Sequence, residues 1–125
     1  MVGSRDGAGE PSGQNALLSD FSLIPYFGAS VYDDPAVYKK SSPIEFIKQV
    51  QTPVLLLQGE RDAEVPAPQS YEFWHALKSL GVETQLVIYP DEGHVPRQPA
   101  HVRDEYARSV RWFDDHLFAG PAARP

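Results

Sequence analysis

Two short segments gather the side chains that can move a proton: "GERDAEVP" at 59–66 and "PDEGHVP" at 90–96. They hold Glu60, Asp62, Glu64, Asp91, Glu92 and His94. Three kinds of chemistry fit such a set. A carboxylate beside an imidazole can fix the ring's tautomer and stabilise its charged form while the other ring nitrogen takes and returns a proton. Several carboxylates and a histidine can cradle a hard cation through oxygen ligands. An acidic loop pair can also be a solvated rim, with Asp62 a turn or cap residue after a strand and His94 an ordinary loop histidine.

The elements around these segments decide how close they can come. "VLLLQ", bounded by Pro53 and Gly59, is a continuous apolar run of strand length and reads as a strand buried on both faces. Phe73, Ala76, Leu77 and Leu80 recur at i, i+3, i+4 and i+7, predicting a helix that stops at Gly81 in a left-handed cap. "TQLVIY" then supplies a second strand closed by Pro90. A β-α-β unit of this kind has parallel strands and a right-handed crossover. Ligands of open parallel sheets bind beyond the carboxyl ends of the strands, where both acidic segments fall. Neighbouring strands lie about 4.8 Å apart, so Asp62 and His94, separated by 32 positions, are expected to emerge side by side. Gly93 is expected to let the second loop turn tightly before His94.

Upstream, "DDPAVYKK" and "SSPIEFIKQV" each place a capping residue, Asp34 or Ser42, ahead of a proline, which predicts two short helices. Downstream, Val102, Tyr106, Val110, Phe113 and Leu117 form the apolar stripe of a last amphipathic helix. His75, His101 and His116 read as ordinary surface or helix-end histidines, and Trp74, Trp112 and the tyrosines as packing material. The fold class is α/β: a parallel β-α-β unit with flanking helices. With 125 residues the chain suits one domain, expected over 15–118, with disordered tails at 1–14 and 119–125.

A formal net charge of −6 and a pI near 5.1 argue against nucleic acid as a partner. The sequence has no cysteine, which removes disulfides, thiolate metal sites and a thiol nucleophile. No run approaches the roughly 18 apolar residues of a membrane span and the first residues lack the apolar centre of a secretory signal, so a cytoplasmic protein without membrane contact is expected.

The run from Thr52 to His94 also resembles the closing portion of the catalytic domain in the prolyl oligopeptidase family of serine peptidases, in particular its acylaminoacyl-peptidase-like members. Gly59, Asp62, Val65, Pro66, Gln69, Ser70, Gly81, Tyr89, Pro90, Gly93 and His94 match the family pattern in order and spacing, and the similarity extends over about residues 17–117. The resemblance implies an α/β-hydrolase fold with Asp62 as the acid and His94 as the base of a Ser-Asp-His triad. It implies acyl transfer from a peptide or ester to water, with no cofactor and no metal.

Two features depart from that pattern. No G-x-S-x-G nucleophile elbow occurs, since Ser4 lies in "GSRDG" and Ser30 in "GASVY", and no His-Gly-Gly-type oxyanion loop is present. The sequence therefore reads as part of an α/β-hydrolase, with the nucleophile-bearing half absent, and as inactive alone. A non-catalytic α/β module that self-associates or complements another chain is the alternative, and an esterase-like hydrolase a further one. Two strands make a poor sheet, so a homo-oligomer through the exposed sheet edge is also expected.

Overall fold

The computed structural model describes residues 23–118; the two expected tails lie outside this range. The chain divides into two units, Met1–Ser41 and Ser42–Pro125. In the first, helix α1 (Ile24–Phe27) ends at Gly28, whose φ of 78° puts it in the left-handed region and lets its N–H reach the Ile24 carbonyl at 2.8 Å. Helix α2 (Pro35–Ser41) begins as its sequence predicts: Asp34 Oδ1 accepts the Ala36 N–H at 3.0 Å. The ring of Tyr38 packs on Phe27 at 4.3 Å, and its hydroxyl donates to the Ala29 carbonyl at 2.9 Å.

The second unit starts with the second expected short helix (Pro43–Gln49), wound as a 3-10 helix and without the expected side-chain cap. Ser42 makes no side-chain cap; its carbonyl accepts the Glu45 N–H at 3.2 Å. Strand β1 (Val54–Gly59), helix α3 (Ala67–Ser79) and strand β2 (Thr84–Tyr89) then form the expected β-α-β unit. The strands are parallel, registered from Val54 opposite Thr84 to Gly59 opposite Tyr89. Helix α3 ends in a Schellman arrangement around Gly81 (φ 73°): Gly81 N–H donates to the Lys78 carbonyl at 3.1 Å and Val82 N–H to that of Leu77 at 3.0 Å. The core is small. Leu77 is fully buried, with Tyr89 and Ala67 the other buried apolar side chains of the described residues.

One expectation about burial is corrected. Val54 to Leu57 are half-buried rather than enclosed on both faces, because among the described residues the sheet has only two strands. Helix α4 (Pro99–Phe113) and the π-helical turn after it (Asp114–Phe118) turn most of their stripe outward, with Tyr106 70%, Val110 60%, Phe113 56% and Leu117 66% exposed; only Val102 is half-buried. The side of α4 carrying His101, Asp104, Glu105, Arg108, Ser109 and Trp112 is the less exposed one. Periodicity identifies an apolar stripe but carries no information on what will cover it.

Candidate active site

The end of β1 meets the end of β2 through backbone. Glu60 N–H donates to the Tyr89 carbonyl at 2.9 Å, and Arg61 N–H to the Glu92 carbonyl at 2.8 Å. Gly59 is required there by space: a Cβ on it would lie 2.1 Å from the Gly93 carbonyl oxygen and 2.7 Å from that of Glu92. Sequence reasoning assigned the tight turn to Gly93, but the left-handed residue of this loop is Asp91, at φ 61°. Its N–H is held by Glu60 Oε2 at 3.1 Å and its carboxylate pairs with Arg61. Aspartate tolerates this conformation better than most non-glycine residues.

These contacts bring the two sequence-predicted residues together. His94 Nδ1 lies 3.0 Å from Asp62 Oδ2. A carboxylate only accepts, so Nδ1 carries the proton and Nε2 of the neutral ring is left free to accept one. The Asp62 side chain is almost wholly buried, while that of His94 is 47% exposed. Asp62 is saturated with donors. Oδ1 takes the Glu64 and Val65 N–H groups, both at 2.9 Å, and Oδ2 also takes Gln58 Nε2–H at 3.0 Å. Burial pushes the Asp62 carboxyl up, but the Val65 amide, the His94 ring, the Glu64 amide and the Gln58 amide together hold it below its ordinary value. The hydrogen bond from His94 to Asp62, the charge of Asp62 and that of Glu64 raise the His94 imidazole above its ordinary value. Glu64 Oε2 stands 3.7 Å from Nε2.

Sequence reasoning missed the supports of this pair. Gln58, buried at the end of β1, is itself oriented by Ser70 of α3, whose Oγ–H donates to Gln58 Oε1 at 2.6 Å. A polar residue closing a run of Val and Leu is a legible hint of such a role. Glu92 reads in sequence as one more rim acid, yet it is 3% exposed. Its carboxylate accepts the Arg97 N–H at 2.8 Å, the Gln98 N–H at 2.9 Å and His101 Nδ1–H at 2.8 Å. The Arg97 amide bond is the main reason its carboxyl sits below the ordinary value. Tyr89, also buried, donates to Asp104 Oδ2 at 3.1 Å, and burial together with that carboxylate pushes its phenol up to about 12. With the acidic residues engaged separately, no three His, Asp or Glu side chains among the described residues form a metal-binding group. A cavity of about 200 Å³ opens beside the pair, lined in part by Leu57, Val65, Tyr89 and Pro96.

This geometry can be set against known proteins. The sequence pattern of the prolyl oligopeptidase family matches residues 17–119. The chain belongs to the prolyl oligopeptidase family. Among its relatives, the acylamino-acid-releasing enzyme of Mus musculus is 41% identical over 76 residues, 61% of this chain and 10% of the mouse protein. Acylamino-acid-releasing enzyme 1 of Oryza sativa is 32% identical over 97 residues, 78% of this chain and 12% of the rice protein. The structure of Pyrococcus horikoshii acylaminoacyl peptidase superposes with a TM-score of 0.66 at 29% identity, covering 81% of this chain and 18% of that one. The chain thus carries part of an α/β-hydrolase fold and spans about a tenth of the length of the curated relatives it matches. Among the described residues no helix is long and apolar enough to cross a membrane.

Proposed function

We propose that the unit after Ser42 supplies the acid-base half of a serine peptidase of the prolyl oligopeptidase type, with Asp62 orienting His94 for proton transfer. The observation that carries the reading is the 3.0 Å contact between His94 Nδ1 and a buried, fully hydrogen-bonded Asp62 at the carboxyl ends of two parallel strands. A serine hydroxyl, which this sequence does not present in a nucleophile elbow, attacks the carbonyl carbon of a peptide or ester. His94 Nε2 takes the hydroxyl proton as the new C–O bond forms, then delivers it to the leaving amine or alcohol as the scissile bond breaks. Water repeats the cycle to free the acid. Asp62 remains ionised throughout, keeping the ring in its Nδ1–H tautomer and stabilising the imidazolium. The names of the relatives favour an N-acylated amino-terminal residue as the substrate over an ester.

The test is a chimera in which residues 42–118 replace the corresponding segment of the Pyrococcus horikoshii enzyme, assayed on an acylaminoacyl anilide. Turnover is expected, falling by about 10⁴-fold with Asp62→Asn and at least as far with His94→Ala. The 125-residue chain alone is expected to turn over nothing above background. A folded chimera that is inactive, or one whose activity survives His94→Ala, overturns the reading. The second reading, a non-catalytic module that self-associates, is favoured by the outward apolar stripe of α4 and the half-buried β1.

A further inference from the structure

The imidazole of His94 has little packing to hold it. It is half exposed, and the next side chain, Val95, is 66% exposed. The loop between β2 and α4 is fixed by polar contacts instead, and these converge on one residue. The Glu92 carboxylate reaches forward over the loop to the N–H groups of residues 97 and 98, closing the segment around His94 into a ring. The same carboxylate accepts the hydrogen bond of His101 Nδ1–H from the first turn of α4, and the His101 ring packs against Tyr89 at 5.4 Å. The Glu92 backbone carbonyl accepts the N–H of Arg61, the residue before Asp62. Glu92 therefore touches both loops of the pair, its backbone fastening the acid's loop and its side chain the base's.

We infer that Glu92 is a positioning residue for His94, its carboxylate setting the loop so that Nδ1–H stays aimed at Asp62. The inference rests on the reading of His94 as the proton carrier. A glutamine in its place offers one acceptor oxygen where the carboxylate offers two, and turns an N–H₂ group towards a donor. At least one of the Arg97, Gln98 and His101 bonds is then lost and the loop loosens. His101→Phe keeps a ring beside Tyr89 and removes a single donor, so its effect is smaller and in the same direction.

The experiment observes the His94 ring by long-range ¹H–¹⁵N correlation NMR in the intact 125-residue chain, with amide exchange of β1 and β2 as the folding control and Asp62→Asn as the reference for complete loss. Wild-type neutral His94 is expected in the single Nδ1–H form. Glu92→Gln is expected to convert it to a mixture of tautomers with strand protection intact, and His101→Phe to shift it part-way. The inference is overturned if folded Glu92→Gln leaves the His94 signals unchanged. If Glu92→Gln does not fold, His101→Phe decides, and unchanged His94 signals there overturn it. Because the readout is the ring and not turnover, an inactive chimera with a Glu92-dependent His94 refutes the catalytic reading alone.

Discussion

Gly59→Ala tests the steric logic of the site with the addition of one carbon. An ordinary carbon-to-carbonyl-oxygen contact is about 3.3–3.6 Å, whereas the new Cβ would stand 2.1 Å from the Gly93 oxygen and 2.7 Å from the Glu92 oxygen. Both obstacles are backbone, so no rotamer change relieves them. The Gly93 carbonyl must retreat by roughly 1.2 Å, the difference between 3.3 and 2.1 Å. That displacement falls one residue before His94 and beside the 2.8 Å bond from Arg61 to Glu92. The 3.0 Å bond to Asp62 has no slack to absorb it. Overpacking of this kind costs about 1–3 kcal/mol. At about 4–8 °C per kcal/mol for a domain of this size, the thermal midpoint drops by roughly 4–24 °C. In the chimera a 1 Å misplacement of His94, if it is the proton carrier proposed above, is worth about 10²-fold in kcat. Circular dichroism melts of the chain, NMR of the His94 ring and turnover of the chimera measure the three effects. A Gly59→Ala protein with an unchanged midpoint, ring tautomer and kcat would refute the claim that close backbone approach sets the pair.

Other outcomes follow from individual contacts. The His94 imidazole is raised above its ordinary 6.5, so the added stabilisation from its positive charge beside Asp62 is present below that pH and is lost as pH climbs through the folded value, leaving only the Nδ1–H bond of the neutral ring. Asp62 is lowered below 3.8, so its contribution is present above that pH and lost as pH falls through the folded value. The gap in thermal midpoint between wild type and Asp62→Asn is therefore expected to be widest between these limits and to narrow on either side; a gap constant across the range contradicts the pairing. Leu77→Ala empties the one fully buried side chain among the described residues, at an expected cost of about 2–5 kcal/mol. Urea unfolding reads this, and a cost below 1 kcal/mol would mean the core lies elsewhere. Val110→Lys with Phe113→Lys leaves the midpoint of the chain nearly unchanged but reduces any self-association seen by light scattering; unchanged association would move the contact to the edge of β1.

The strands, α3 and its Gly81 stop are legible in the sequence because each follows from local pattern, a run of Val and Leu or a 3.6-residue recurrence. The meeting of Asp62 and His94 is legible for a related reason. Once two strands are parallel neighbours, the residues just past their ends have nowhere else to go. What escapes is whatever depends on the third dimension after that. Glu92 and Glu64 are the same letter in similar loops, yet one carboxylate is buried among three donors and the other stands in solvent, because only the first has a loop folded over it. The turn at Asp91 escapes because Glu60 and Arg61, from the other loop, stabilise a conformation for which glycine seemed the natural choice. The orientation of helix α4 escapes because its polar side is needed against the Tyr89 hydroxyl and the Glu92 carboxylate, which leaves most of the apolar stripe pointing the other way.

The two-sided character of α4 also limits how its sequence can drift. One side carries His101, which bonds Glu92, and Asp104, which accepts from Tyr89 and from Arg108 of the same side, and the opposite side carries Tyr106, Val110 and Phe113. Between them runs a narrow exposed strip of Arg103, Ala107 and Arg111, spaced four residues apart. A substitution scan selecting only for folding of the chain should accept changes on the strip and on the apolar side alike. A scan selecting for turnover in the assembled hydrolase should accept them on the strip alone. The positions at which the two scans disagree would outline the footprint of whatever covers the helix.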